Sequence, residues 1–304
     1  WIVLHGSYKF DKEDYVDMDG YIQRANILIE ALPYIQKLSG KTVVIKFGGN
    51  AMVDEEITRT IMQDIVLLKY VGVNPIVVHG GGPEISKMLT TLGIESKFRN
   101  GLRITDKDSI DVVEMVLTGK INNDIVAKIN MLGGSAVGLC GKDAKLIEAE
   151  KKMPADGFDL GYVGEIKDVN YRVLDLLSQD EYIPVVAPIG IGPDGHSYNI
   201  NADIVAGEIA AVLKAEKLIF LTDIDGIYRE PDNPDSLMSV VMIDEVYRLI
   251  DRGIINGGMI PKVMGCIKGI EKGVNRTHIL NGTLPHPILL EIFPDTGIGT
   301  MVTR

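Results

Sequence analysis

Cysteine is scarce. The 304 residues hold two, Cys140 and Cys266, far apart and without a CxxC spacing, which argues against a disulfide framework and a structural zinc site. A reducing, cytoplasmic setting fits that shortage. No apolar run approaches the roughly 18 residues that cross a bilayer, and charged residues at 24% leave little room for one, so a soluble chain is expected. Positive charge is in deficit as well. Lys+Arg number 31 against 42 Asp+Glu, a net charge of -11, and such a field repels nucleic acid and anionic lipid. Neither is expected as a partner, and any anionic ligand must be met by local cations. There is no Walker A sequence, and the glycine turn at 80–82 does not match GxGxxG because its second and third glycines are adjacent, so neither a P-loop nor a dinucleotide fold is supported. No internal repeat, low-complexity tract or Ser/Gly linker marks a domain boundary.

What is present is a large apolar fraction, 46%, enough for one large core or two lobes sharing a sheet. Trp1 to Asp19 has no apolar stretch of signal-peptide length, and its mixed charges continue no periodicity. Residues 1–20 read as a leader or a cloning remnant. From Ile22 the apolar positions Ala25, Leu28, Ile29, Leu32, Ile35 and Leu38 recur at three and four residues, a helical stripe that Pro33 should kink and Ser39-Gly40 should stop. Short Val/Ile/Leu runs follow at 43–47, 75–79, 136–139, 183–187, 218–221 and 277–280, most of them separated by helix-period segments. Nearly continuous runs suit strands covered on both faces. The fold class expected is α/β, a three-layer α/β/α sandwich with a mainly parallel open central sheet. Residues 97–105 around Asn100-Gly101, and 145–170 with Gly157, Gly161 and Gly164, break the rhythm and read as hairpins decorating that sheet.

Several strand ends carry chemistry. Lys46 runs into Gly48-Gly49, which places a charge beside unobstructed backbone N–H groups, a phosphate-binding arrangement; a snorkelling lysine before a plain turn would look the same. His79-Gly80-Gly81-Gly82-Pro83 opens a helix with Pro at its first position, an anion site by its free N–H groups, and His79 reads more readily as a packed imidazole than as a catalyst. Arg103 offers a planar fork that matches a carboxylate, or else is a solvated hairpin arginine. Asn199-Ile200-Asn201-Ala202-Asp203 starts a helix, where capping accounts for one asparagine but not for both. Thr222-Asp223-Ile224-Asp225-Gly226 closes a strand with an acidic turn, and Gly257-Gly258-Met259-Ile260-Pro261-Lys262 brings a second lysine to a helix start. There it opposes the helix dipole, a cost that a bound phosphate would offset.

Together and in this order, IKFGGN, VHGGGPEI, NGLRIT, GLCGKDAKL, YNINAD, LTDIDGI and GGMIPKV resemble the amino acid kinase family, most closely its members that act on N-acetyl-L-glutamate. The likeness runs from about Ile22 to Arg304. It implies transfer of the ATP γ-phosphoryl to the side-chain carboxylate of N-acetyl-L-glutamate in arginine biosynthesis, with Mg2+ arriving on ATP rather than in a protein metal site. By position, Lys46 and Lys262 would flank the phosphoryl group, Gly48 and Gly49 would donate to its oxygens, and Asp203 would hold both lysines. Gly81 and Gly82 would meet the reacting carboxylate, Arg103 the α-carboxylate and Asn199 the substrate skeleton. Thr222, Asp223, Gly226, Gly258 and Lys262 would line the nucleotide site. Arginine-sensitive members carry an N-terminal helix, so the resemblance also implies a hexamer, a trimer of dimers, inhibited by arginine near Tyr21, His278, Glu291 and Gly297. It divides the chain into residues 1–20, an oligomerisation helix 21–40, an acetylglutamate lobe 41–190 and an ATP lobe 191–304. Kinases of other carboxylates or of carbamate, and a catalytically silent arginine sensor, are the competing expectations.

Overall fold

The computed structural model describes residues 18–154, 156–230, 233–257, 259–294 and 296–304. Most of the expected leader therefore lies outside the described residues. Along the chain, α1 (Met18–Leu38) leads to β1 (Thr42–Phe47), α2 (Glu55–Tyr70), β2 (Asn74–His79) and α3 (Gly82–Thr91). A hairpin follows, β3 (Phe98–Arg99) with β4 (Leu102–Arg103). Next, α4 (Lys107–Glu114) passes through a π-helical turn, Met115–Ile121, into α5 (Asn122–Met131). Then come β5 (Ala136–Cys140), β6 (Ile147–Lys151), β7 (Gly164–Val169), α6 (Arg172–Gln179), β8 (Ile183–Ala187), β9 (Ile189–Ile191) and β10 (Ser197–Asn199). The last third holds α7 (Ala202–Val212), β11 (Lys217–Thr222), β12 (Val240–Met242), α8 (Ile243–Asp251), α9 (Met259–Glu271), β13 (Arg276–Asn281), α10 (Pro287–Ile292) and β14 (Thr300–Thr303).

All six apolar runs became strands of one sheet, ordered β12-β14-β13-β11-β1-β2-β8-β5. Its ladders are parallel except β13 with β14. Side chains of a strand alternate between faces, and both faces are covered. Val43, Ile45 and Phe47 pack into a core with α2, α3, α5 and α10, whereas Val44 joins a second core with α7, α8 and α9. Each buried Val, Ile or Phe contributes roughly 1.5–3 kcal/mol by leaving water, which is why these strands carry no polar alternation.

Two expectations change. The 145–170 hairpin, β6 with β7, is not a free decoration: with β9 and β10 it forms a second sheet, ordered β10-β9-β6-β7. Leu146, Ile147, Ala149, Val169, Tyr198 and Ile200 of this region sit in the second core, so the small sheet is anchored by burial. The N-terminal helix is already formed at Met18, ahead of Ile22, and carries Asp19 in the first turn described. It continues past Pro33, which removes one hydrogen bond of many. Of its stripe only Leu38 is buried; Leu28 and Ile29 are 73% and 67% exposed. No helix among the described residues is long and apolar enough to cross a membrane.

Candidate active site

Parallel strands deliver their carboxyl ends to one edge of the sheet, and the two glycine turns meet there. The Gly80 N–H donates to Phe47 O at 2.8 Å. A Cβ on Gly48 would come within 3.1 Å of the Gly80 nitrogen, so the turns after β1 and β2 approach so closely that a side chain there would have to push the neighbouring backbone aside. Gly49 adopts φ +68°, in the left-handed region. Lys46 leaves β1 beside them, with Nζ 3.0 Å from Asp203 Oδ1. That oxygen is buried, and the Lys46 ammonium is its charge partner.

Asp203 is set by the start of α7. Asn201 caps this helix, its Oδ1 accepting from the N–H groups of Asp203 and Ile204. Asn199, two residues earlier on β10, does different work: its Nδ2 donates to Thr105 Oγ1 at 3.2 Å. One asparagine is a cap and the other faces the cleft.

Arg103 is no solvated hairpin residue. It is 7% exposed, donates to Gly82 O and Ser86 Oγ at 2.9 Å each and to Ser96 Oγ, and lies over the Phe98 ring at 4.6 Å. Burial lowers its pKa from the usual arginine value. A cleft of about 270 Å3 brings together Lys46, Gly49, Gly81, Gly82, Arg103, Asn199 and Asp203, with Leu117, Val163 and Pro188 also in its wall. Ser86, Ser96 and Phe98 were not singled out from sequence. A serine in a helix carries no signature of its own; only the hairpin's fold-back onto α3 gives these residues a role.

The second lysine departs from expectation. Lys262 Nζ lies 3.7 Å from Asp223 Oδ1, so Asp203 engages Lys46 while Asp223, at the end of β11, faces Lys262. Thr222 donates to Asp223 Oδ1 at 3.1 Å. Gly226 cannot carry a side chain, because a Cβ would strike Thr300, whose Oγ1 accepts from the Ile227 N–H at 2.8 Å. Gly258 lies outside the described residues. Among the described residues no group of three or more His, Cys, Asp or Glu is arranged to hold a metal ion.

The side chains of the segment expected to bind arginine partner one another. Buried Glu291 accepts from His278 Nδ1 at 2.7 Å and from the Gly299 N–H at 3.0 Å, and His278 Nε2 lies 3.0 Å from Lys217 Nζ. A Cβ on Gly297 would collide with the Glu291 carboxylate. Glu291, His278 and Gly297 are thus together, and Lys217 is a member that sequence reading missed. Tyr21 is not: it stands 58% exposed on α1, under the Arg24 guanidinium at 5.9 Å.

A sequence model of the amino acid kinase family matches residues 41–281. The acetylglutamate kinase of Caldicellulosiruptor saccharolyticus is 58% identical over 291 residues, covering 95% of this chain and 99% of that protein. That of Moorella thermoacetica is 55% identical over 288 residues, covering 92% and 97%. Among solved structures, N-acetylglutamate synthase from Neisseria gonorrhoeae, complexed with coenzyme A and N-acetyl-glutamate, superposes with a TM-score of 0.81 at 25% identity, over 92% of this chain. This chain spans 63% of that longer one. Carbamate kinase from Giardia lamblia shares the fold at a TM-score of 0.64 and 16% identity, over 87% of this chain and 99% of that one. The matched span contains both lysines, both glycine turns and the sheet edge where they converge, and the chain belongs to the amino acid kinase family.

Proposed function

We propose that the chain is an acetylglutamate kinase, transferring the ATP γ-phosphoryl to the side-chain carboxylate of N-acetyl-L-glutamate to give the acyl phosphate and ADP, in amino-acid biosynthesis. One observation carries this: a single cleft gathers Lys46, the Gly81-Gly82 turn, Arg103 and Asn199 in a chain 58% identical to acetylglutamate kinase over nearly its full length. The acceptor carboxylate, with an ordinary pKa near 4.3, is ionised at neutral pH. No general base is required, only charge neutralisation and in-line placement.

In this reading Lys46, on β1, and Lys262, at the start of α9, approach the migrating phosphoryl from two sides and stabilise the charge that spreads over its oxygens. The N–H groups of Gly48 and Gly49 add hydrogen bonds to phosphate oxygens. Asp203 steadies Lys46, and Asp223 does the same for Lys262. Gly81 and Gly82 N–H groups receive the reacting carboxylate, Arg103 the α-carboxylate through the donors its serine partners leave unused, and Asn199 the acetamido skeleton. Thr222, Asp223, Gly226 and Gly258 serve the nucleotide. Mg2+ would arrive on the nucleotide phosphates rather than in a protein cage, Asp203 and Asp223 being the carboxylates that would help hold it, and it would supply further neutralisation of phosphate charge.

The finer reading is a cytoplasmic hexamer, a trimer of dimers joined through α1, with arginine inhibition centred on the Glu291 segment. Residues 41–190 would form the acetylglutamate lobe and 191–304 the ATP lobe. The bare apolar stripe of α1 supports the assembly. Trapping the acyl phosphate with hydroxylamine, across a panel of carboxylates and carbamate, tests the function. Hydroxamate from acetylglutamate alone is the expected result; another preferred acceptor, or none, overturns it.

A further inference from the structure

The His79 imidazole takes no part in the chemistry above, yet it is fully buried one residue before the glycine turn. Each ring nitrogen has one partner. Nδ1 lies 2.9 Å from the Gly80 carbonyl oxygen, and Nε2 lies 3.1 Å from Nδ2 of Asn122. The Asn122 amide also donates to Val185 O at 2.9 Å. A carbonyl oxygen only accepts, so the NH2 of Asn122 faces both Val185 and His79 and commits its two protons there. Nε2 of His79 is then the bare, accepting nitrogen. Nδ1 carries the proton and donates it to Gly80 O. Burial, which pushes the imidazole pKa down to about 4, keeps the ring neutral.

That bond has a directional consequence. The Gly80 carbonyl and the Gly81 N–H belong to one peptide plane, and in a trans peptide they point opposite ways. Drawing the carbonyl toward the buried imidazole turns the Gly81 N–H away from it, toward the cleft that Gly80, Gly81 and Gly82 line. A peptide between two glycines has no side chain to restrain it, so something else must hold it. The helix beneath is shaped for that purpose. Asn122 starts α5 directly after the π-helical turn, and Leu117 and Ile121 of the turn lie so close under Gly81 that a Cβ would strike both. π-turns inserted in helices frequently mark functional sites. Gly138 leaves the space that the Asn122 side-chain oxygen occupies.

We propose that His79, oriented by Asn122, is a positioning residue whose Nδ1–H locks the Gly80-Gly81 peptide with the Gly81 N–H facing the reacting carboxylate. This rests on reading the cleft as the acetylglutamate site. Two substitutions separate the halves of the device. His79→Asn keeps a donor at the Nδ1 position and loses the Nε2 acceptor; His79→Gln keeps an acceptor near Nε2 and loses the donor to Gly80. Each deletes one buried hydrogen bond, so a merely structural role predicts equal kinetics that follow the loss of Tm. The positioning role predicts His79→Asn within about threefold of wild-type kcat, and His79→Gln lower by roughly tenfold or more in kcat/KM for acetylglutamate with KM for ATP unchanged. Equal kinetics in the two variants, or a loss shared by ATP, overturns the proposal. Nitrogen NMR of the wild-type chain with labelled histidine should show His79 protonated on Nδ1 and bare on Nε2. The opposite tautomer overturns the proposal even if neither variant folds. A wild-type chain that shows the expected tautomer but does not phosphorylate acetylglutamate would count against the functional reading instead.

Discussion

Removing the charge of Lys46 or of Lys262 should cost catalysis far more than binding, because in the proposed mechanism each acts on charge that develops in transfer rather than on charge already present in the bound substrates. Lys46→Ala and Lys262→Ala are each expected to lower kcat on the order of a hundredfold or more, the scale of losing one preorganised donor, with much smaller changes in KM. Steady-state kinetics at saturating ATP and acetylglutamate check this; a near-normal kcat in either variant removes that lysine from the mechanism. His79 makes a separate prediction about stability. Its folded pKa, about 4, lies below the unfolded value near 6.5, so its contribution is complete above pH ~6.5 and is lost as pH falls toward 4. The wild type should therefore lose about 3 kcal/mol relative to His79→Asn across that window. Denaturant unfolding of both chains at several pH values measures the difference. A constant difference would mean that the ring is not held neutral by burial.

At the scale of elements, the β3–β4 hairpin shows what a sequence discloses and what it withholds. Asn100 and Gly101, at φ +48° and +77°, make the turn that an Asn-Gly pair announces, and the hairpin was legible for that reason. That Arg103 would be buried was not legible, because its partners Ser86 and Ser96 lie on other segments and only the fold-back brings them near. The same holds for the short strands β9, β10, β12 and β14: three or four residues long, they carry too little pattern to stand out, whereas the buried runs announce themselves by composition alone. Lys217 escaped notice for a related reason, as a lysine opening a strand looks solvated until His278 is laid beside it by β-pairing. The hairpin's construction yields the third prediction. Arg103→Lys keeps the charge but cannot reproduce a fork that reaches Gly82 O, Ser86 and Ser96 together. It should raise KM for acetylglutamate by about tenfold, the weight of a charged hydrogen bond, and spare KM for ATP. Equal effects on both substrates would make Arg103 a structural tie and no more.

Among the described residues, one element has no use inside the chain. Tyr21, Ile22, Ile27, Leu28, Ile29 and Leu32 are exposed on α1, and only Leu38 reaches the core. An apolar helix face of this size calls for a partner, and closed symmetry lets a second copy of the same helix supply it. The foot of α1 also bears on the C-terminal cluster. Burial, and then the charge of Arg276, bring the Lys217 pKa down to about 8 against Glu291 and Glu216, and Lys37 in the last turn of the helix adds the smallest part. Assembly and arginine inhibition would then share one structural connection, and both should fail together. Deleting residues 1–37, which retains the buried Leu38, is expected to convert a hexamer into dimers by light scattering, to weaken arginine inhibition by tenfold or so, and to leave basal turnover largely intact, since none of the cleft residues belongs to α1. A full-length chain that already runs as a dimer would leave the apolar face of α1 without the partner argued for it. Undiminished inhibition in the truncated chain would show that arginine acts without the helix and would separate the two properties.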